Sequence, residues 1–332
     1  MRRQQRGVAL LTVLLVLVVI VTLGAAMTQR SQISVRRTIS LGQLDQAYWY
    51  SLASEALAKR VLKQDFEDAD GTVHLQQYWA TADVVYPVDN GHIGGTIEDM
   101  RTCFNLNGLV QGLTSQEEQQ DPYQTPLPGR QFIAMMEALE LDRYLGEMLA
   151  DRVRDFVDAD SDPSGTFGAE DGDYQARPIP YLAPNQLMAH HSELRAVLGS
   201  SPELYQILKD YLCVIPGNDR QVLNVNTLPV ERAALLVGML EGGISLSEAE
   251  SLIGNRPGDG WESTEAFWQE PAAQRLTDLS AEAKATISVD SEYFRLKGGA
   301  RVDNSVFRLE SILKRGGDNN LSVVTRQYGG QQ

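Results

Sequence analysis

The stretch RGVALLTVLLVLVVI, Arg6–Ile20, determines the architecture expected of this chain. Arg2 and Arg3 precede it, and residues 8–29 contain no charged side chain. At about 1.5 Å of rise per residue, a helix of that length can cross a hydrocarbon core about 30 Å thick. A secretory signal would have a shorter apolar region before a small-residue site, so we favour a membrane anchor over cleavage after Gly24–Ala26.

The charges around this span predict its orientation. Because the arginines precede the apolar run, the positive-inside rule places the amino terminus in the cytoplasm and everything after residue 29 outside it. The chain has 332 residues, enough for two or three domains, and a formal net charge of −15. Such an acidic exterior argues against nucleic-acid binding.

The chain has two cysteines, Cys103 and Cys213. In an oxidising compartment an even number of cysteines favours a disulfide, here between these two residues. Their long separation in sequence leaves two buried free thiols as the alternative.

The helix expected across the membrane continues beyond it. Residues 30–66 contain no proline, and Leu41, Leu44, Tyr48 and Leu52 recur at helical spacing. We therefore predict one helix from near residue 8 to near residue 66, with 8–29 in the membrane. The amphipathic 30–66 half should pack on a globular domain.

Strand patterns occur at both ends of the remaining chain. TADVVYPV (81–88) and GGTIEDMRTCFNL (94–106) alternate in hydrophobicity, as do residues 286–316 and 320–329 near the carboxyl terminus. Between them the patterns are helical, with Asp142 and Ser201 as expected N-caps. The chain therefore predicts an α+β fold in which a β region, 67–107 and 287–332, is interrupted by an inserted all-α domain, 108–286.

The start of the chain resembles a type IV prepilin-like leader, with a basic segment, then Gly7, then the apolar residue Val8. In that family a membrane peptidase cuts after the glycine and methylates the new amino terminus. The resemblance therefore implies a leader of residues 1–7. Pilins and most pseudopilins have glutamate at the fifth position after the cut, where this chain has Thr12.

Six further motifs make the resemblance specific. They occur in the order FNLNGL (104–109), DRVRDFVDADSDPSG (151–165), GAEDGDY (168–174), PYLAPN (180–185), SELRAVLG (192–199) and LNVNTLP (223–229). Together they are similar to the K-type minor pseudopilin of the bacterial type II secretion system, the general secretion pathway protein K family. That family characteristically lacks the glutamate that Thr12 replaces.

The resemblance implies a fold, partners and a location. The fold is pilin-like, with a long amino-terminal helix on a small antiparallel sheet and a large helical insertion. The partners are the I-type and J-type minor pseudopilins and the prepilin peptidase, with the major pseudopilin, the secretin and secreted substrates as further contacts. The implied location is the inner membrane, with one span and a periplasmic globular region, at the tip of a filament that supports export of folded proteins.

The acidic run DFVDADSDPSGTFGAEDGDY, residues 155–174, predicts a calcium site. Acids alternate as at the start of an EF-hand loop, but Pro163 and Ala169 occupy the positions of its glycine and closing glutamate. Hard oxygen ligands without His or Cys favour calcium, and family members have been seen with calcium in the inserted domain. A solvated acidic loop is the alternative. The candidate ligands are Asp158, Asp160, Asp162, Glu170, Asp171 and Asp173.

The chain shows no motif typical of an enzyme. GxSxG, HExxH and phosphate-binding loops are absent from the sequence. The sequence therefore predicts a structural assembly protein and no catalytic residues. The alternatives are a membrane-anchored, calcium-dependent periplasmic enzyme and a minor pilin or adhesin of a type IV pilus.

Overall fold

The computed structural model describes residues 6–69, 71–82, 84–113 and 124–329. Residues 1–5 of the predicted leader lie outside these ranges. The structure has one long helix, a five-stranded sheet, and a helical region inserted between the second and third strands of that sheet.

Helix α1 runs from Arg6 to Asp68 without interruption. Its 63 residues correspond to about 95 Å of helix. It ends just before Gly71, whose φ of 83° lies in the left-handed region that favours glycine. The single helix predicted from the absence of proline and the apolar spacing is confirmed. Within the described residues, α1 alone is long and apolar enough to span a membrane.

Nine strands follow α1 in the described residues. Their bounds are β1 Val84–Val88, β2 Gly91–Asp99, β3 Phe104–Asn105, β4 Leu212–Cys213, β5 Leu223–Asn224, β6 Ile287–Ser288, β7 Tyr293–Val302, β8 Ser305–Arg315 and β9 Leu321–Tyr328. The main sheet is antiparallel with the order β1-β2-β7-β8-β9. Its central pair, β2 and β7, joins segments from either side of the insertion.

The second half of α1 covers one face of this sheet. At one end Phe66 packs on Phe294, and towards the other end Ala47 packs on Ala300. Between them, buried Glu55 accepts two hydrogen bonds from the Arg326 guanidinium, at 2.7 and 2.9 Å. Burial opposes this ionised carboxylate, but its hydrogen-bond donors outweigh that effect and lower the pKa of Glu55 to about 2.

The inserted region contains nine α-helices in the described residues, besides short 3-10 turns. They are α2 Leu127–Ala138, α3 Arg143–Val157, α4 Asp171–Gln175, α5 Pro202–Leu208, α6 Ala233–Met239, α7 Leu246–Gly254, α8 Thr264–Trp268, α9 Pro271–Gln274 and α10 Ala281–Lys284. They enclose one continuous hydrophobic core. Both predicted caps are confirmed: Asp142 accepts from the Tyr144 N–H, and Ser201 accepts from the Leu204 N–H. The insertion also carries two short strands. Of these, β4 pairs with β3 and β5 pairs with β6, in each case in parallel.

A buried carboxylate joins the sheet to the insertion. Asp99, at the end of β2, accepts hydrogen bonds from the Thr227 hydroxyl at 2.6 Å and the Asn224 side-chain amide at 2.9 Å. The Ser291 hydroxyl donates to its other oxygen. Burial raises the pKa of Asp99, although these hydrogen-bond donors act to lower it. The expected α+β class, with a pilin-like arrangement of helix and sheet plus a helical insertion, is confirmed.

Candidate functional site

The acidic loop between α3 and α4 is shaped by two carboxylates on α3. Asp155 accepts from the Ser164 N–H at 2.9 Å and from the Ala169 N–H at 2.7 Å. One turn earlier, Asp151 accepts from two further backbone N–H groups of the loop, both at 3.0 Å. Because Asp151 and Asp155 are four residues apart, they lie on the same face of α3 and hold the loop against it.

Folding the loop back in this way brings three of the predicted ligands together. Asp158 caps the carboxyl end of α3, and Glu170 immediately precedes α4. With Asp160 they place one carboxylate oxygen each within 4.8 Å of one another. The structure therefore brings together three of the six candidate ligands named from the sequence.

The other three candidate ligands, Asp162, Asp171 and Asp173, make hydrogen bonds with neighbouring parts of the chain. Asp171 accepts a hydrogen bond from the Ala183 N–H at 3.1 Å, and Asp173 accepts one from the Glu170 N–H at 3.2 Å. Asp162 contributes its own N–H as a donor to the Asp160 side chain. None of the three belongs to the group of carboxylates that the structure brings within 4.8 Å.

Several buried oxygens of this cluster have no hydrogen-bond partner in the described part of the chain. They are one Asp158 oxygen, both Glu170 carboxylate oxygens and the side-chain oxygen of Asn185. The Asn185 amide nitrogen donates to the Asp160 carbonyl at 2.8 Å, so Asn185 lies at the loop. Buried acceptors without a partner are costly, and a bound cation would satisfy them.

The electrostatics of the cluster support the same conclusion. Burial, together with the charges of Asp155 and Asp158, raises the pKa of Glu170 to about 7. Burial and the charges of Asp160 and Asp155 raise the pKa of Asp158 to about 6. Carboxylates held this close repel one another, and this repulsion adds to burial in raising their pKa values.

These donors fit calcium. All of them are oxygens, and both the carboxylate and the side-chain amide oxygens are ligand types that calcium accepts. Asn185 was missed by the sequence analysis, although it ends the PYLAPN motif. Its φ of 46° is uncommon for a residue other than glycine and was not visible in the sequence.

The remaining predicted site residues lie far from the loop in sequence. Gly7 and Val8 lie in the first turn of α1. The Thr12 hydroxyl donates a hydrogen bond to the Ala9 carbonyl at 2.9 Å, so its hydrogen-bond partner lies within α1. Cys103 and Cys213 form a disulfide in the structure, which ties the segment after β2 to β4.

The first half of α1 makes little contact with the rest of the chain. From residue 9 to residue 42 every side chain is exposed, including a long series of leucines, valines and isoleucines. An apolar surface of this size needs lipid or a protein neighbour to cover it. It is the second candidate functional surface of the molecule.

Two segments of the chain match a known protein family. Residues 102–217 and residues 223–290 match the family described as type II secretion system (T2SS), protein K. Both matched segments lie mainly in the helical insertion, and the first includes the whole acidic loop.

Full-length relatives carry the same description. Type II secretion system protein K of Aeromonas hydrophila is 39% identical over 330 residues, covering 99% of each chain. The protein of the same name from Pectobacterium carotovorum subsp. carotovorum is 38% identical over 333 residues, covering 99% of this chain and 98% of the relative.

A solved structure has the same fold. It is a chain from the crystal structure of the GspK-GspI-GspJ complex of the enterotoxigenic Escherichia coli type 2 secretion system. The two chains superpose with a TM-score of 0.76 and 34% identity, over 89% of this chain and 100% of that one.

Proposed function

The chain belongs to the type II secretion system protein K family and is a minor pseudopilin of that system, and from this premise we propose that it forms the tip of the periplasmic pseudopilus. There it supports the export of folded proteins across the outer membrane. The family is one of structural pseudopilins, and we propose an assembly role without catalysis for this member.

The position of the insertion carries the tip proposal. The exposed half of α1 leaves the sheet at the end marked by the Gln43–Asp303 side-chain hydrogen bond, at 2.8 Å. The insertion joins the opposite end, where Met100, Cys213 and Tyr293 pack in one cluster. A subunit whose far end is covered in this way offers no free end on which the next subunit can stack.

Thr12 supports the same position. In pilin-like filaments the glutamate at this place pairs with the terminal amine of a neighbouring subunit, since a carboxylate in an apolar setting needs a partner. Thr12 instead satisfies its hydroxyl within α1. A terminal subunit has no neighbour above it whose amine would require that carboxylate.

We propose the I-type and J-type minor pseudopilins as direct partners. A chain of the GspK-GspI-GspJ complex shares this fold at 34% identity, which supports an equivalent complex here. The exposed apolar half of α1 gives such neighbours a surface to pack against. The major pseudopilin, the secretin and the secreted proteins are further proposed contacts.

The same helix supports a location. We propose one span of the inner membrane, with the amino terminus in the cytoplasm and the globular region in the periplasm. Prepilin peptidase would cut between Gly7 and Val8 and methylate the new amino terminus. An oxidising periplasm also suits the Cys103–Cys213 disulfide.

We propose further that the acidic loop binds calcium through Asp158, Asp160 and Glu170, with the Asn185 side-chain oxygen as an additional ligand. The ion would neutralise the cluster and bridge the end of α3 to the start of α4. Asp151 and Asp155 orient the loop through its backbone N–H groups and leave the other carboxylates for the metal. Calcium therefore has a structural role in the insertion.

Subunit stoichiometry tests the tip proposal. Sheared pseudopili should contain this chain at a small fraction of the major subunit by quantitative immunoblot, and gold-labelled antibody should mark filament ends. Thr12→Glu should insert normally and leave the ratio unchanged, because a tip subunit has no neighbour that needs the carboxylate. A wild-type ratio near one to one, or labelling along the shaft, would show that the tip assignment is wrong.

A further inference from the structure

Helix α1 carries a group of positive charges between its apolar run and the sheet. Arg30, Arg36 and Arg37 are the charged residues of positions 8–44, and the next charged residue is the acid Asp45. All three arginines are exposed. We call them the basic collar of α1. They form a positive segment in a chain whose formal net charge is −15.

The rest of the chain does not neutralise the basic collar. Among the residues that the structure describes, no carboxylate forms an ion pair with its three arginines. An ion pair of α1 lies farther along the helix, where Lys59 meets Glu55 at 3.2 Å. Helix α1 meets the sheet beyond the collar, where the Gln43 side chain donates to Asp303 at 2.8 Å. The guanidinium groups of the collar are therefore available to a partner outside this chain.

The collar lies close to the end of the proposed membrane span. Arg30 directly follows the uncharged run, and Arg36 and Arg37 come seven and eight residues after Gln29. At about 1.5 Å of rise per residue, their Cα atoms lie about 10–12 Å beyond the end of the run. The headgroup layer of a bilayer is about 5–8 Å thick on each side. Arg30 therefore lies within that layer, and the backbone of the other two arginines lies just above it.

The direction of helical side chains closes the remaining distance. In an α-helix the Cα–Cβ bond tilts towards the amino terminus, and a long side chain covers the turn that precedes its own Cα. For the collar, the amino-terminal direction is the direction of the membrane. One turn of about 5.4 Å brings the guanidinium groups of Arg36 and Arg37 back to about 5–7 Å from the run, at the depth of the headgroups.

The arginines are spread around the helix. At about 100° per residue, Arg30 and Arg37 lie on one face of α1, and Arg36 lies about 100° away from Arg37. Lipids meet a membrane span from every side, whereas a protein neighbour covers one face of it. This arrangement favours lipid headgroups over an acidic surface of a neighbouring subunit.

The charge of the collar is opposite to that of the globular region it supports. Positive residues normally collect at the cytoplasmic end of a span, as leader residues 2–6 do here. At the outer end, an acidic globular region would be repelled by an anionic membrane surface. The collar places three positive charges between the two, at the point of α1 nearest the headgroups.

We propose that the basic collar binds the phosphate groups of anionic phospholipids at the outer surface of the membrane that α1 spans. The inference rests on the membrane location proposed above. A guanidinium group matches the geometry of phosphate and can donate two parallel hydrogen bonds to it. These contacts hold α1 at one depth, so that the sheet, which α1 meets at Gln43, stands about 20 Å from the membrane surface.

The test uses the full chain in nanodiscs of equal parts phosphatidylcholine and phosphatidylglycerol. Native mass spectrometry measures the ratio of the two lipids that stay bound to the released chain. R30Q/R36Q/R37Q removes the charges of the collar and keeps good helix formers. R220Q/R301Q/R308Q is the matched control, because it removes the same charge at exposed arginines beyond the collar. The leader is identical in all chains and cancels from the comparison.

We expect wild type to retain phosphatidylglycerol in excess, and R30Q/R36Q/R37Q to lower that excess at least about threefold at about 50 mM salt. The difference should shrink at about 300 mM salt, where headgroup charge is screened more strongly. The control should stay within about 1.5-fold of wild type, since its arginines lie beyond the reach of the headgroups. R30K/R36K/R37K keeps the charges and should restore most of the excess, which a purely steric role would not explain.

Each contrary outcome has a separate meaning. A wild-type chain that does not enter nanodiscs contradicts the proposed membrane location and the inference together. A chain that enters them but shows no preference for phosphatidylglycerol, or an equal preference in R30Q/R36Q/R37Q, contradicts the inference alone. The inference is also overturned if R30Q/R36Q/R37Q keeps its lipid preference but loses binding to purified I-type and J-type subunits in nanodiscs of phosphatidylcholine.

Discussion

Replacing Glu170 by Gln should change the stability of the chain in opposite directions with and without calcium. Without calcium, Glu170→Gln removes a buried charge that lies close to Asp158 and Asp160, and the protein should become more stable at neutral to alkaline pH. With calcium, the variant lacks a central ligand and should fail to gain the stability that wild type gains.

The size of the first effect follows from the pKa. Moving the pKa of Glu170 from its ordinary value of 4.5 to about 7 corresponds to about 3 kcal/mol against the ionised form. The Asp158 and Glu170 carboxyls titrate together and are partly screened by solvent, so about 2 kcal/mol is a better expectation. Because the folded pKa is raised, calcium-free wild type should have this stability below about pH 4.5 and lose it as pH rises through about 7.

The second effect follows from linkage. Calcium at about a hundred times its dissociation constant stabilises the folded chain by about 2.7 kcal/mol. For a domain of this size that is a rise in melting temperature of roughly 5–10 °C. Melting of the full chain in detergent is followed at about pH 5 and about pH 8, each with excess calcium or excess chelator.

Asp162→Asn is the matched control, because it also removes one acid from the loop but lies outside the cluster. It should keep the wild-type calcium response. The argument fails if calcium leaves wild-type melting unchanged at pH 8, or if Asp162→Asn loses as much of the response as Glu170→Gln. It also fails if calcium-free wild type is no less stable at pH 8 than at pH 5.

Three further predictions concern processing, the disulfide and the helix–sheet contact. Intact-mass analysis of the membrane form should find a chain that starts at Val8 with a methylated amine; a start at the first methionine would contradict the leader assignment. Changing Cys103 and Cys213 to Ser should cost about 2–5 kcal/mol in urea unfolding, and non-reducing mass mapping of periplasm-derived protein should find them linked; two free thiols would rule out the bond. Glu55→Gln should cost about 1–3 kcal/mol at neutral pH, because it weakens a buried charge-assisted pair, whereas exposed Glu67→Gln should cost almost nothing. Since the pKa of Glu55 is lowered to about 2, its contribution in wild type should be present above about pH 4.5 and disappear as pH falls towards 2; equal effects of the two variants would contradict this role.

The helix was predictable because its causes are local. The apolar run, the absence of proline and the spacing from Leu41 onward all act within a few residues, and they predict α1 almost to its ends. The N-caps at Asp142 and Ser201 were predictable for the same reason, because a cap depends on a side chain and backbone N–H groups two or three residues away.

The acidic loop was predictable as a composition but not as a geometry. Six acids were candidates, and the structure gathers only Asp158, Asp160 and Glu170. The selection depends on Asp151 and Asp155, which use backbone hydrogen bonds to fold the loop onto α3. No periodicity in the loop itself shows which carboxylates will be occupied by backbone donors.

The sequence by itself determined the long apolar amino-terminal helix, the strand segments on either side of a helical insertion, and the position of an acid-rich loop within that insertion. Only the tertiary structure decided that Asp99 faces Phe294 across β2 and β7, and that Asp99 also holds the insertion through Thr227. Helical and capping preferences depend on neighbours along the chain. Strand register and buried polar contacts depend on residues more than a hundred positions apart in sequence, such as Asp99 and Thr227. Such residues meet only when hydrophobic burial brings the strands and the insertion together.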